Sequence, residues 1–96
     1  MESKGYSWKW VTASRLLSRG PCELISAEVV PSATTTTTIL YDGENTNGDK
    51  IVQFNITIVL NWSFKPPVPI YCRRGLYVTV GTSVTGVFVQ WRELRG

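Results

Sequence analysis

A chain of 96 residues with 43 % apolar and 18 % charged side chains has the composition of one small globular domain. At this size it buries roughly 60–65 % of its unfolded surface, enough to fold alone with a modest margin. The net charge of +3 sets ten Lys/Arg against seven Asp/Glu with no basic run longer than two, unlike the clustered cations a nucleic-acid footprint needs.

Two further classes fall away on residue type. There is no histidine, which removes the Ser-His-Asp and Cys-His mechanisms. Cys22 and Cys72 form no CxxC pair and have no histidine to complete a zinc site. Two such cysteines behave as small buried hydrophobes or pair with each other, and pairing requires Cα atoms within about 7 Å.

From the start of the chain, Met1-Glu2-Ser3-Lys4-Gly5 lacks the apolar core of a signal peptide, and no apolar stretch approaches the ~20 residues of a membrane span. The expectation is a protein made in a cytoplasm, with its cysteines reduced there and no membrane partner. Residues 1–13 are polar, with Tyr6, Trp8 and Trp10 on one parity. As extended chain these three aromatics face one way. They form either a first strand or an arm that docks on another subunit, since aromatics are enriched at interfaces. Tyr6, Trp8 and Trp10 are the candidate partner contacts.

Residues 14–96 read as a β domain. Ser14–Ser18 is a short strand candidate, and Gly20-Pro21 is a turn. Cys22–Val30 is a strand, closed by Pro31-Ser32. Thr34–Thr38 is a threonine run leading into Ile39-Leu40-Tyr41. Its β-branched residues favour extended backbone, and a strand start or edge is preferred over a low-complexity segment. Asp42–Asp49 is a loop whose Asn47-Gly48 is a strong turn dipeptide. Its oxygen donors invite a calcium reading, but the twelfth position from Asp42 is Gln53, where an EF-hand loop needs a bidentate Glu. A turn is preferred, and no metal or cofactor is expected.

Ile51–Leu60 alternates, with Val52, Phe54, Ile56 and Ile58 on one face and Gln53, Asn55 and Thr57 on the other, as in a half-buried antiparallel strand. Asn61–Phe64 continues or turns. Lys65-Pro66-Pro67-Val68-Pro69 is a connection or an edge, because proline donates no ladder hydrogen bond. Ile70-Tyr71-Cys72 is a short strand. The clearest pattern comes last: Leu76–Val80 and Val87–Trp91 alternate on either side of a Gly81–Gly86 turn, a strand-turn-strand signature. The expected core is Val52, Phe54, Ile56, Ile58, Val78, Val80, Val87 and Val89, with Phe64, Phe88, Trp62 and Trp91 as further filling. The expected fold is all-β, a six- to seven-stranded antiparallel sandwich or small jelly-roll-like barrel. Asp42, Glu44 and Asp49, the one acidic cluster, sit in a solvated loop without the split environments that carboxylate catalysis needs, so the chain is expected not to be an enzyme.

The stretch from Gly20 onward resembles small structural proteins of tailed bacteriophages and marine viral sequences. The resemblance rests on Thr36-Thr37-Thr38-Ile39-Leu40-Tyr41-Asp42-Gly43, on Pro67-Val68-Pro69-Ile70, and on Gly75-Leu76-Tyr77-Val78-Thr79-Val80-Gly81 followed by Val87-Phe88-Val89-Gln90-Trp91. It covers about three-quarters of the chain and consists of turn glycines and alternating strands, with no catalytic signature. It implies a β-sandwich on the capsid surface of a virion, a cement or decoration protein bridging subunits of the major capsid protein as a homo-oligomer, foremost a trimer. Two other readings are a virion-surface module that stacks host glycans on exposed aromatics, and a small head-tail connector. Aromatics and carboxylates ringing a shallow groove favour the glycan reading; an apolar patch at a symmetry axis favours cement.

Overall fold

The computed structural model describes residues 6–94. Those residues form nine strands: β1 (Ser7–Val11), β2 (Arg15–Arg19), β3 (Cys22–Pro31), β4 (Thr36–Asp42), β5 (Asp49–Ile56), β6 (Trp62–Phe64), β7 (Ile70–Cys72), β8 (Gly75–Val80) and β9 (Val84–Glu93). The class is all-β and the architecture is a sandwich of two antiparallel sheets, with two to three strands more than expected. The additions are short pieces: β1, which the sequence left open between a strand and an arm, and the three-residue β6, where it left the chain to continue or turn; β7 is the expected Ile70–Cys72 strand. Sheet A runs β1-β9-β3-β6, with β7 also pairing β3, and sheet B runs β2-β8-β4-β5.

Alternation builds the core between the sheets. Sheet A contributes Val11, Leu24, Ala27, Val29, Val87, Val89 and Trp91, and sheet B contributes Leu40, Phe54, Ile56, Leu76 and Val78, all buried. Fully burying one such aliphatic side chain stabilises by about 1.5–3 kcal/mol. Seven of the eight expected core residues pack in or against this cluster: Phe54, Ile56, Val78, Val87 and Val89 are buried, and Val52 and Val80 pack against them half-buried.

Ile58 does not: it is 56 % exposed. The apolar alternation runs on past the point where the ladder ends. β5 pairs with β4, and the last rung is Thr36 opposite Ile56. Beyond it the chain turns, with Thr35 at a left-handed φ of 63° and its N–H bonded to the Ile56 carbonyl at 2.9 Å. Ile58 therefore has no opposing strand to cover it, and lies with Val59 and Leu60 in an exposed aliphatic loop.

The closing pair of strands is a second departure. Leu76–Val80 and Val87–Trp91 form strands, but they are not a hairpin. β8 pairs β2 and β4 in sheet B, whereas β9 pairs β1 and β3 in sheet A. Gly81–Ser83 is a crossover between the sheets, anchored where the Ser32 N–H donates to the Ser83 carbonyl at 3.0 Å. The strand resumes at Val84, inside the expected turn. The alternation in each strand then serves the same core from opposite sides. This places Phe88 on the outer face of sheet A, half-buried, and not among the core residues.

One glycine is needed where three segments meet. Gly75 has φ +148°, and a Cβ there would lie 2.7 Å from the Ser18 carbonyl oxygen and 2.9 Å from that of Gly43. That junction is held by Asp42, whose carboxylate accepts the N–H groups of Arg73 (3.2 Å) and Arg74 (2.9 Å). The most acidic part of the loop thus serves the β7–β8 turn, while Arg74 pairs with Asp49 at 3.0 Å in an exposed contact of little energy.

Candidate binding face

β1 is an edge strand of sheet A, joined to β9 in a five-residue register from Ser7 opposite Trp91 to Val11 opposite Val87. Because side chains alternate across a strand, Val11 points inward while Trp8 and Trp10 stand on the outer face opposite Gln90 and Phe88. Tyr6, just ahead of the strand, lies on that face too. The three candidate residues are therefore brought together, and all are open to solvent: Tyr6 53 %, Trp8 65 % and Trp10 44 %.

Their neighbours are ordered. The Trp8 and Phe88 rings are stacked, with centroids 6.1 Å apart and planes 28° from parallel. The Trp10 ring lies on Gly86, where an added Cβ would come within 2.1 Å of it. The Arg92 guanidinium sits 5.6 Å from the Tyr6 ring centroid and is ion-paired with Glu23 of β3, which raises its pKa and keeps it charged. One rung along, Ser26 donates to the Gln90 side-chain oxygen at 3.4 Å. Glu28 and Ser63 continue the row across β3 and β6. Tyr71 of β7, opposite Glu23, is 56 % exposed at the far edge.

The result is a face on which exposed aromatic rings along one edge adjoin hydroxyl, amide and carboxylate groups. A shallow depression of about 180 Å³ opens in it, lined by Ser26, Glu28, Ser63, Lys65, Phe88 and Gln90. Such a surface can stack a flat partner and fix its orientation by hydrogen bonds.

Sequence parity found Tyr6, Trp8 and Trp10. It missed Phe88, Gln90, Arg92, Glu23, Ser26 and Tyr71 as their companions. The signal for the β9 members lay in the same alternation that made Val87, Val89 and Trp91 inward-facing. Which strands would lie beside them was not written in any local pattern.

The other features carry less chemistry. A larger hollow of about 410 Å³ lies at the 43–48 turn beside Arg74, lined by Gly43, Glu44, Asn45, Asn47 and Gly48. Among the described residues no cluster of three His, Cys, Asp or Glu side chains could hold a metal ion, and no helix is long and apolar enough to cross a membrane. Of the other two tryptophans, Trp91 is buried, and Trp62 is half-buried with its indole N–H donating to the Ile58 carbonyl at 3.3 Å.

No family model, no curated protein and no solved structure matches this chain.

Proposed function

We propose that this chain is a non-enzymatic structural protein of a tailed-phage particle, attached to the capsid shell through the outer face of sheet A. The observation that carries the reading is the set of three adjoining exposed aromatics, Tyr6, Trp8 and Trp10, on an edge strand whose backbone is already satisfied on one side by β9. Aromatic and arginine side chains dominate protein-interface energetics, and this face offers both. The strand and turn pattern that resembles virion proteins supplies the partner class: subunits of the major capsid protein. The mechanism is thermodynamic. A protein that binds the assembled shell and not its loose subunits stabilises assembly by mass action. A homo-oligomer bridging several subunits, foremost a trimer, would detach slowly because each contact holds the next in place.

The test is addition of the purified chain to shells that lack it, with occupancy read by cryo-electron microscopy. Trp8→Ala should leave the domain folded, since the ring is mostly solvated, and should weaken shell binding at least tenfold, the loss of a hot spot of about 1.4 kcal/mol or more. Unchanged occupancy for the Trp8→Ala, Trp10→Ala double variant would remove this face from the proposal.

A second reading is favoured by a specific observation: Gln90, Ser26, Glu28 and Ser63 lie beside the Trp8–Phe88 stack and around a shallow depression. A sugar ring stacks on an aromatic face while its hydroxyls bond to such groups. Oligosaccharide binding by calorimetry, lost in both Trp8→Ala and Gln90→Ala, with no occupancy on shells, would make the chain a glycan-recognition module of the virion surface.

A further inference from the structure

Cys22 opens β3 and Cys72 closes β7, and the register sets the two as directly opposed partners. Opposed residues of an antiparallel pair have Cα atoms about 4.5–5.5 Å apart and side chains on the same face. That is within the roughly 4.4–6.8 Å that disulfides span. Both residues are 0 % exposed and both are free thiols. Their side chains face each other inside the sandwich, where the Cys72 thiol donates to the Ile70 carbonyl at 3.6 Å.

The surroundings decide what such a pair can do. β7 is three residues long, follows a proline-rich connection and pairs with β3 alone. It can peel from β3 without disturbing the long β3–β9 ladder, which is how local opening exposes a buried group while the rest of the domain stays folded. Reactivity is divided between the two sulfurs. The neighbouring Cys72 thiol lowers the Cys22 thiol below its ordinary value, and the neighbouring Cys22 together with burial pushes Cys72 up.

We propose that Cys22 and Cys72 are an oxidation site: they close an intramolecular disulfide in the folded protein, stapling β7 to β3 when the chain meets an oxidising small disulfide. Written with oxidised glutathione, the Cys22 thiolate attacks one glutathione sulfur, forming a mixed disulfide and releasing one glutathione thiolate. Cys72 gives its proton to that thiolate or to water and attacks the Cys22 sulfur. The Cys22–Cys72 bond forms, the mixed disulfide breaks and the second glutathione leaves as thiolate. Two electrons pass from the cysteine pair to one glutathione disulfide. The staple closes a loop of about 50 residues, a length at which cross-linking strongly restricts the unfolded chain. It also fixes the end of sheet A that carries Tyr71 and Glu23, whatever that face binds.

The experiment incubates the folded full-length chain with oxidised glutathione, quenches with an alkylating agent and reads intact mass and thermal melting. The expected product is a monomer that has lost two hydrogen atoms, carries neither glutathione nor alkyl groups, and yields one cross-linked peptide containing both cysteines. Its Tm should rise by on the order of 10 °C, a gain reversed by reductant. Cys22→Ser and Cys72→Ser should each show no such rise; should either fail to fold, the mass and melting of the unaltered chain decide alone. Three results would overturn the proposal: two alkylated thiols after prolonged oxidation, a stable glutathione adduct, or a disulfide-linked dimer. A disulfide monomer that melts no higher than the reduced chain would also overturn it, since the staple would then strain the sheet.

Discussion

The two sheets share one core but have unlike outer faces. On sheet B the polar side chains satisfy one another: the Lys50 ammonium donates to Gln53 at 2.9 Å and the Gln53 amide to Asn55 at 2.7 Å. The two aromatics of its outer face, Tyr41 and Tyr77, lie in cross-strand register with ring centroids 6.4 Å apart, and Tyr41 is only 9 % exposed. On sheet A the aromatics stand out from the edge strand, with Trp8 65 % exposed. The same residue class is thus tucked away on one face and offered to solvent on the other. A tryptophan side chain carries 150–250 Å² of surface to bury. Leaving three large aromatics side by side in water is uncommon for a face with no partner. Sheet B reads as a finished surface and sheet A as one awaiting an occupant.

That contrast can be broken at its foundation. Phe54 is the large aromatic of β5 in the shared core, and Phe54→Ala should cost about 3–5 kcal/mol, read as a lowered denaturant midpoint with little change in slope. An unchanged midpoint would mean that β5, and with it the outer face of sheet B, is turned over.

A smaller change sharpens the comparison on sheet A alone. Gly86→Ala places a methyl group where the Trp10 ring now lies. The ring must move, at a cost of about 1–3 kcal/mol, the range for overpacking. Tryptophan fluorescence should shift while the β-sheet circular dichroism signal is kept. A spectrum identical to that of the unaltered chain would show that Trp10 does not rest on the strand.

The smallest expected effect lies in sheet B and has the opposite sign. Thr38 is 0 % exposed, and its hydroxyl has no hydrogen-bond partner. Thr38→Val keeps the shape and removes an unpaired polar group, so it should stabilise by about 1 kcal/mol. A loss of stability would show that the hydroxyl finds a hydrogen-bond partner in the folded protein.

Much of the fold was legible because alternation is local. The inward set of β9, Val87, Val89 and Trp91, and that of β8, Leu76 and Val78, follow from residue order alone. The β4–β5 loop was legible too, but not its geometry: the turn closes from the Gly48 N–H to the Asn45 carbonyl around Thr46 and Asn47, and neither Asn47 nor Gly48 has the positive φ of an Asn-Gly hairpin turn. The site was half legible for the same reason. Tyr6, Trp8 and Trp10 share a parity on one segment, whereas Glu23, Ser26 and Tyr71 reach that face only through pairing across the sheet.

What the sequence determined by itself is the strand class, the inward faces of β5, β8 and β9 and the clustering of three aromatics near the start of the chain. The period of side-chain alternation is a property of the backbone and needs no partner. What the tertiary structure decided is which strands are neighbours. It sent β8 and β9 to opposite sheets across Gly81–Ser83, ended β5 at Ile56 because β4 begins there, and set Cys72 opposite Cys22. Each of these depends on residues far apart in the chain meeting when both faces of the sandwich are buried at once, and no local pattern encodes that choice.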